Sequence, residues 1–256
     1  MKISQILDPS QVDFTFPHSI SFFEPYLYFF TREILEIGGE AYLSKNDDDA
    51  VSGLFIYDDA EKAGSIYTTS QEVFDYFYRL KPFNYLFSEF KTDLENEVYN
   101  IYVINLDGFT FDHIFSHEIS VADNGDADEI EKFMCLTHPR INRRWAKVAL
   151  KNGDRCFTVR LGDKIAGLGW CSLVNGVGRL HSLFVKQQFR RLGMGDDILA
   201  ARLLWLKSRR ARWVFSEISQ YNFSCSRIAI KERMKVSGQI YQYFKKKPNP
   251  ESRTKN

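Results

Sequence analysis

The stretch Arg179-Leu180-His181-Ser182-Leu183-Phe184-Val185, followed by Lys186-Gln187-Gln188-Phe189-Arg190-Arg191-Leu192-Gly193-Met194-Gly195, decides the fold. It reads as a strand ending at Val185, a loop over Lys186–Leu192, and two glycines spaced by one residue that open a helix over Asp196–Lys207. Backbone N–H groups at a helix start have no partners within the helix, and the macrodipole adds positive potential there. With no Cβ at Gly193 and Gly195, an anion can approach those donors, and the loop can adopt positive φ. Arg190 and Arg191 add charge to the same rim. Strand, glycine loop, helix N-terminus and arginines together describe an anion cradle. On its own a Gly-x-Gly pair also suits a plain strand-to-helix turn. It lacks the third glycine of the dinucleotide fingerprint, and no Gly-Lys-Ser/Thr follows to form a nucleotide P-loop.

Outward from this stretch the pattern stays that of alternating strands and helices. Upstream, Glu118–Val121 reads as a strand, and Asp123 or Asn124 can cap a helix over Asp126–Leu136. Pro139 separates it from a second helix, Arg143–Leu150. Cys156–Leu161 and Ile165–Leu173 alternate around Gly162-Asp163-Lys164, a hairpin signature. Downstream, Trp213–Ile218 is a strand, Phe223–Met234 a helix and Gln239–Phe244 a last strand.

These residues resemble the GNAT superfamily of N-acetyltransferases. The family signature Arg/Gln-x-x-Gly-x-Gly/Ala, between its fourth strand and third helix, is matched by Arg190-Arg191-Leu192-Gly193-Met194-Gly195. Ile165-Ala166-Gly167 is similar to the family's usual Ile-Val-Gly, and Ile218-Ser219-Gln220-Tyr221-Asn222 to its Val-x-x-x-Asn. The resemblance covers residues 118–244. It implies a mixed sheet flanked by helices that binds acetyl-CoA as co-substrate, with no metal. Main-chain groups of Leu183, Phe184 and Val185 would then pair with the pantetheine arm. Arg190, Arg191, Leu192, Gly193, Met194 and Gly195 would hold the pyrophosphate, with Asn222 and Ser224 completing the cofactor set. Three departures stand out: Asp196 and Asp197 directly follow the loop, Arg233-Met234 replaces the usual Gly-Phe, and Ala229 stands where many relatives carry a tyrosine acid.

An attacking ammonium must lose a proton, and a base that titrates near neutrality does this best. His181, on the strand before the loop, is the first candidate catalytic residue. Glu217, on the next strand, is an alternative base or an anchor for the substrate ammonium. Tyr221 is a candidate acid for the departing thiolate. A hydrogen-bonded interior histidine and a packing tyrosine are the plain structural alternatives.

The first half looks like a degenerate copy of the same α/β (α+β) fold, so the whole reads as tandem GNAT-like sheets flanked by helices. A helix around Thr31–Ile37 follows the aromatic-rich segment Phe14–Phe30. Strands are expected at Tyr42–Ser44, Gly53–Tyr57 and Ser65–Thr69, then a helix Gln71–Leu80. Further strands are expected at Phe83–Phe87 and Tyr99–Leu106 around a short helix near Thr92–Glu97. Tyr67-Thr68-Thr69-Ser70-Gln71-Glu72 passes from strand to helix with no glycine loop and no arginine, so no cradle forms there. With 107–117 read as a linker, the expected domains are a structural one over 1–117 and a catalytic one over 118–247, with 248–256 a disordered tail.

Charge divides at the same place. Residues 1–117 hold 7 Lys/Arg against 20 Asp/Glu (−13), and residues 118–256 hold 27 against 13 (+14). The basic half suits a phosphorylated cofactor, and the acidic half can draw in a cationic acceptor and wall its cleft. No run of about 18 apolar residues appears, so no membrane span is expected. Cys135, Cys156, Cys171 and Cys225 are widely spaced, and Met1-Lys2-Ile3-Ser4-Gln5 does not open a signal peptide, so a reduced, cytoplasmic chain is expected. Arg202, Lys207, Arg209, Arg210 and Arg212 also suit a nucleic-acid binder, but no recognised nucleic-acid motif accompanies them. An acyl-CoA-binding module without turnover is the second functional class. The acceptor, a small-molecule or peptide amine, stays open, as do acyl length and oligomeric state.

Overall fold

The structure, a computed structural model, describes residues 1–8, 24–136 and 145–244. Most of the aromatic segment 14–30, Pro139, the start of the helix expected from Arg143 and the tail 248–256 lie outside those residues. The chain divides into two compact units. One comprises the described residues of 1–99 and 239–244; the other comprises those of 100–238.

The first unit contains β1 (Lys2–Ile6), α1 (Glu24–Glu36), β2 (Glu40–Lys45), β3 (Val51–Asp58), β4 (Ala63–Thr68), α2 (Gln71–Leu80) and β5 (Tyr85–Ser88). Its strands lie in the order β1-β2-β3-β4-β5-β12, where β12 is Lys235–Phe244. β2, β3 and β4 form an antiparallel meander, β5 joins β4 in parallel, and Tyr241–Phe244 of β12 run antiparallel to β5. Ser70 starts α2 by accepting from the Val73 amide, and α2 buries Val73, Phe74 and Phe77 on one stripe. These pack with Phe55, Tyr57, Ile66, Leu86 and Tyr243 into an aromatic core.

The second unit repeats the plan. Its elements are β7 (Ser120–Val121), α3 (Ala127–Met134), α4 (Trp145–Lys151), β8 (Arg155–Leu161), β9 (Lys164–Val174), β10 (Val177–Val185), α5 (Met194–Ser208), β11 (Trp213–Ser219) and α6 (Phe223–Lys231). With β6 (Asn96–Asn105), the strand order is β6-β11-β10-β9-β8-β7. Again a meander (β8, β9, β10) leads through a helix to a strand, β11, that pairs in parallel. α5 lays Ile198, Leu199, Leu203 and Leu206 on one face of this sheet, against Cys171, Leu180, Val214 and Ile218. Strand–helix–parallel strand thus occurs twice, as the tandem expectation required.

Three expectations are corrected. Residues 91–95 form turns, not a helix: the Thr92 amide donates to the Tyr243 hydroxyl and the Thr92 side chain accepts from the Leu94 amide, a local alternative to helical bonding. Residues 107–117 are not a loose linker. Phe109 and Phe111 pack on the second core, Lys207 donates to the Phe109 carbonyl, and His113 and His117 bond to Asp197. The units also part inside β6, at Tyr99/Asn100, and not at 117/118, while the final strand residues return to the first unit.

Candidate active site

The parallel ladder between β10 and β11 is short. It pairs Val177–Arg179 with Trp213–Phe215 and then stops. Beyond it, β10 bulges between His181 and Phe184, with Ser182 at φ +51°. A non-glycine residue at positive φ costs about 1–2 kcal/mol and persists only where its surroundings enforce it. Arg202 of α5 does so: it is fully buried and its Nη1 donates to the carbonyls of Trp170 (3.0 Å) and His181 (3.2 Å), on either side of the β9/β10 pair. Burial drives the Arg202 guanidinium down to about 10, which still leaves it a cation at neutral pH. A Cβ at residue 169 would lie 3.0 Å from Cζ of Arg202, so Gly169 makes room for the guanidinium. Residues 182–185, past the end of the β10/β11 ladder, are not paired with β11.

After β10 the chain makes a 3₁₀ turn over Gln187–Phe189 and enters α5 through Arg191 (φ +66°) and Gly193 (φ +87°), the latter in the helix N-cap position. Arg191 and Leu192 are exposed, and Met194 is buried as the first residue of the helix. Arg190 is exposed but tethered: its Nε donates to the Val185 carbonyl and its guanidinium lies 5.6 Å from the Phe184 ring centre. The two aspartates after the loop are turned aside. Asp196 meets Lys231 at 3.3 Å. Asp197 is buried and accepts from His113 Nε2 (2.7 Å), His117 Nδ1 (2.7 Å) and the amides of Ser116 (3.2 Å) and His117 (3.0 Å). Burial works to raise the Asp197 carboxyl, but the hydrogen bonds from His113, His117 and Ser116 outweigh it and hold it low. The carboxylate that would repel a phosphate is therefore consumed by the 113–117 segment. Among the described residues no group of His, Cys, Asp and Glu is arranged to hold a metal.

His181 and Glu217 come together on one face of the sheet, whereas Tyr221 stands apart. His181 is enclosed by Trp170, stacked at 6.3 Å, and by Trp145 of α4, edge-on at 5.9 Å. Burial, helped by the neighbouring Arg179, pushes its imidazole well below the usual value, so it is neutral at pH 7. Glu217 is held by Arg179 through Nε at 3.1 and 3.2 Å and Nη2 at 3.0 Å, a forked ion pair. Tyr221 is 60% exposed. Asn222 caps α6, its side chain accepting from the Cys225 amide at 3.2 Å, and Ser224 is exposed beside it. Ala229 is buried and offers no hydroxyl. Arg233 keeps the left-handed conformation (φ +63°) that a glycine would adopt more easily, and Met234 tucks in behind it.

Sequence reading missed Asp154. It is 2% exposed, its Oδ2 lies 3.5 Å from His181 Nε2, and burial pushes its carboxyl up to about 7 against the pull of Arg179 and Arg155. In Asn152-Gly153-Asp154 it looks like an ordinary turn residue. Only the fold brings it under His181.

Fold and site define a tandem α/β protein whose second copy enters its helix α5 through a left-handed glycine. Residues 122–224, 103 of 256, match the model of the acetyltransferase (GNAT) family. Similar solved structures include a tandem GNAT protein from the clavulanic acid biosynthesis pathway (8% identity, 97% of this chain and 100% of that one, TM-score 0.58). A GNAT-family acetyltransferase from Colwellia psychrerythraea is similar over 96% of this chain and 100% of its own (11% identity, TM-score 0.59). A GCN5-related N-acetyltransferase from Sphaerobacter thermophilus is similar over 80% of each chain (12% identity, TM-score 0.54). At such identities the likeness is one of fold. A search of curated proteins found no match.

Proposed function

We propose that the second unit binds acetyl-CoA along the open part of β10 and transfers its acetyl group to a primary amine of a small molecule or peptide. The observation that carries this is the cradle itself: Gly193 left-handed at the head of α5, Gly195 without a side chain, and both following aspartates engaged elsewhere. Acetyl-CoA supplies a thioester carbonyl open to amine attack. The chain's part is to place it. Amides of residues 191–195 face the diphosphate, and main-chain groups of Leu183–Val185 align the pantetheine arm beside the bulge. His181, neutral at pH 7, takes the ammonium proton. Glu217, tied to Arg179, shapes the acceptor side and is the weaker base candidate. Tyr221, exposed just before α6, is the candidate phenol for the thiolate.

Four free cysteines suit a reducing compartment such as the cytoplasm, and no helix among the described residues is long and apolar enough to cross a membrane. The absence of a hydroxyl at Ala229 favours one second reading, a module that binds acyl-CoA without turning it over.

Thiol release from acetyl-CoA against a panel of small amines and N-terminal peptides separates the two. Turnover with at least one amine is expected, with kcat in His181→Asn reduced by about 100-fold or more. Acetyl-CoA that binds but releases no thiol above background would leave only the module.

A further inference from the structure

We propose that Asp154 is the positioning residue of His181: its carboxylate accepts the imidazole Nε2–H, fixing that tautomer and leaving the Nδ1 lone pair directed at the bulge of β10. Three observations support this. Asp154 Oδ2 is the carboxylate oxygen nearest Nε2, at 3.5 Å, within the range over which such bonds tighten when a substrate closes the site. His181 Nε2 is buried and has no other hydrogen-bond partner among the described residues, so leaving it unpaired is costly, and Asp154 Oδ2 is the group within reach. Nδ1, by contrast, lies 3.3 Å from the Ser182 hydroxyl, at the bulge itself, where an unprotonated nitrogen accepts that O–H.

The rings of Trp145 and Trp170, 4.8 Å apart, wall the imidazole and keep it from rotating away. The charged groups around the pair are Arg155 from β8, Arg179 from β10 with its partner Glu217 from β11, and Arg202 from α5. Arg179 and Arg155 work against burial and favour an ionised Asp154 in this dry setting.

The pairing makes the tautomer respond to pH. With Asp154 protonated, its O–H donates to Nε2, and the ring must carry its hydrogen on Nδ1, where it is no base. When Asp154 loses that proton, the ring hydrogen moves to Nε2 and Nδ1 becomes the acceptor. One proton leaves the pair in all. Burial has pushed the Asp154 carboxyl up to about 7, which sets where the change falls.

Long-range 1H–15N spectra of the full, ligand-free chain labelled at histidine read the tautomer directly, with the signal among the five histidines assigned by its loss in His181→Asn. The expected result is a shift of the ring hydrogen from Nδ1 to Nε2 as pH rises through about 7, absent in Asp154→Asn. A wild-type ring that keeps its hydrogen on Nδ1 from pH 5 to 9, or a shift that persists in Asp154→Asn, overturns the proposal. Should the variant misfold, the wild-type titration alone decides. The functional meaning of the pair rests on the acetyl-transfer reading, but the spectra do not: a protein that shows the shift yet binds no CoA refutes that reading and leaves the pairing standing.

Discussion

Gly193→Val is expected to weaken CoA binding by about 100-fold while leaving the protein folded. Residue 193 sits at φ +87°, ψ −8° in the N-cap position of α5, a conformation that a β-branched residue adopts only at a cost of about 1–2 kcal/mol. A Cβ there would already lie 4.0 Å from His117 Cε1, so the added methyl groups enter the space above the loop. The loop can relieve the strain only by rotating its peptide planes. Doing so turns away two of the amides proposed to face the diphosphate. Losing two charge-assisted hydrogen bonds, each worth about 1.5 kcal/mol, amounts to about 3 kcal/mol, or two decades in Kd. Calorimetric titration of CoA into wild type and variant measures it; equal affinities would show that the loop does not grip the cofactor.

Asp197→Ala is expected to lower stability by about 3 kcal/mol and to loosen residues 113–117. The carboxylate accepts four hydrogen bonds, two from imidazoles and two from amides, and hydrogen bonds to a charged group contribute about 1.5–3 kcal/mol each before non-additivity. The sign of the pH dependence follows from the depressed carboxyl. A group held below its unfolded value stabilises the fold above that value, about 4, and the contribution is lost as pH falls through the lower folded value. Wild type and variant should therefore differ fully at pH 7 and converge below about pH 4. Urea unfolding at several pH values gives the first quantity, and amide exchange at 113–117 the second. A difference under about 0.5 kcal/mol at pH 7, with exchange unchanged, would remove Asp197 from the segment's support.

Much of the site was legible because its chemistry is local. The glycine pair, the arginines and the apolar run of α5 lie within one short stretch, and each carries its signal in residue type. The hairpin of β8 and β9 and the helix α2 were equally local. What escaped is what the fold assembles. His-Ser-Leu at 181–183 announces no bulge, because it is the buried Arg202, about 20 positions on, that holds the carbonyls of His181 and its cross-strand partner Trp170. Phe109, Phe111, His113 and His117 fall on alternate positions, but the segment forms no strand and Gly108 precedes it, so it resembled a linker although its side chains are spent on the core and on Asp197. Asp154 looked like a turn residue, and β12 gave no hint that its last residues would pair with β5 about 150 positions earlier. Asp196 and Asp197 looked hostile to a phosphate until their partners were visible.

The central claim is that bare main-chain nitrogens at the entrance to α5 hold a coenzyme's diphosphate, and backbone 1H–15N resonances observed during a CoA titration address it most directly. The account predicts saturable shifts concentrated at Leu192, Gly193, Met194 and Gly195, with the amides of 183–185 following. CoA that saturates the protein while those resonances stay in place, or that moves none at all, would contradict it.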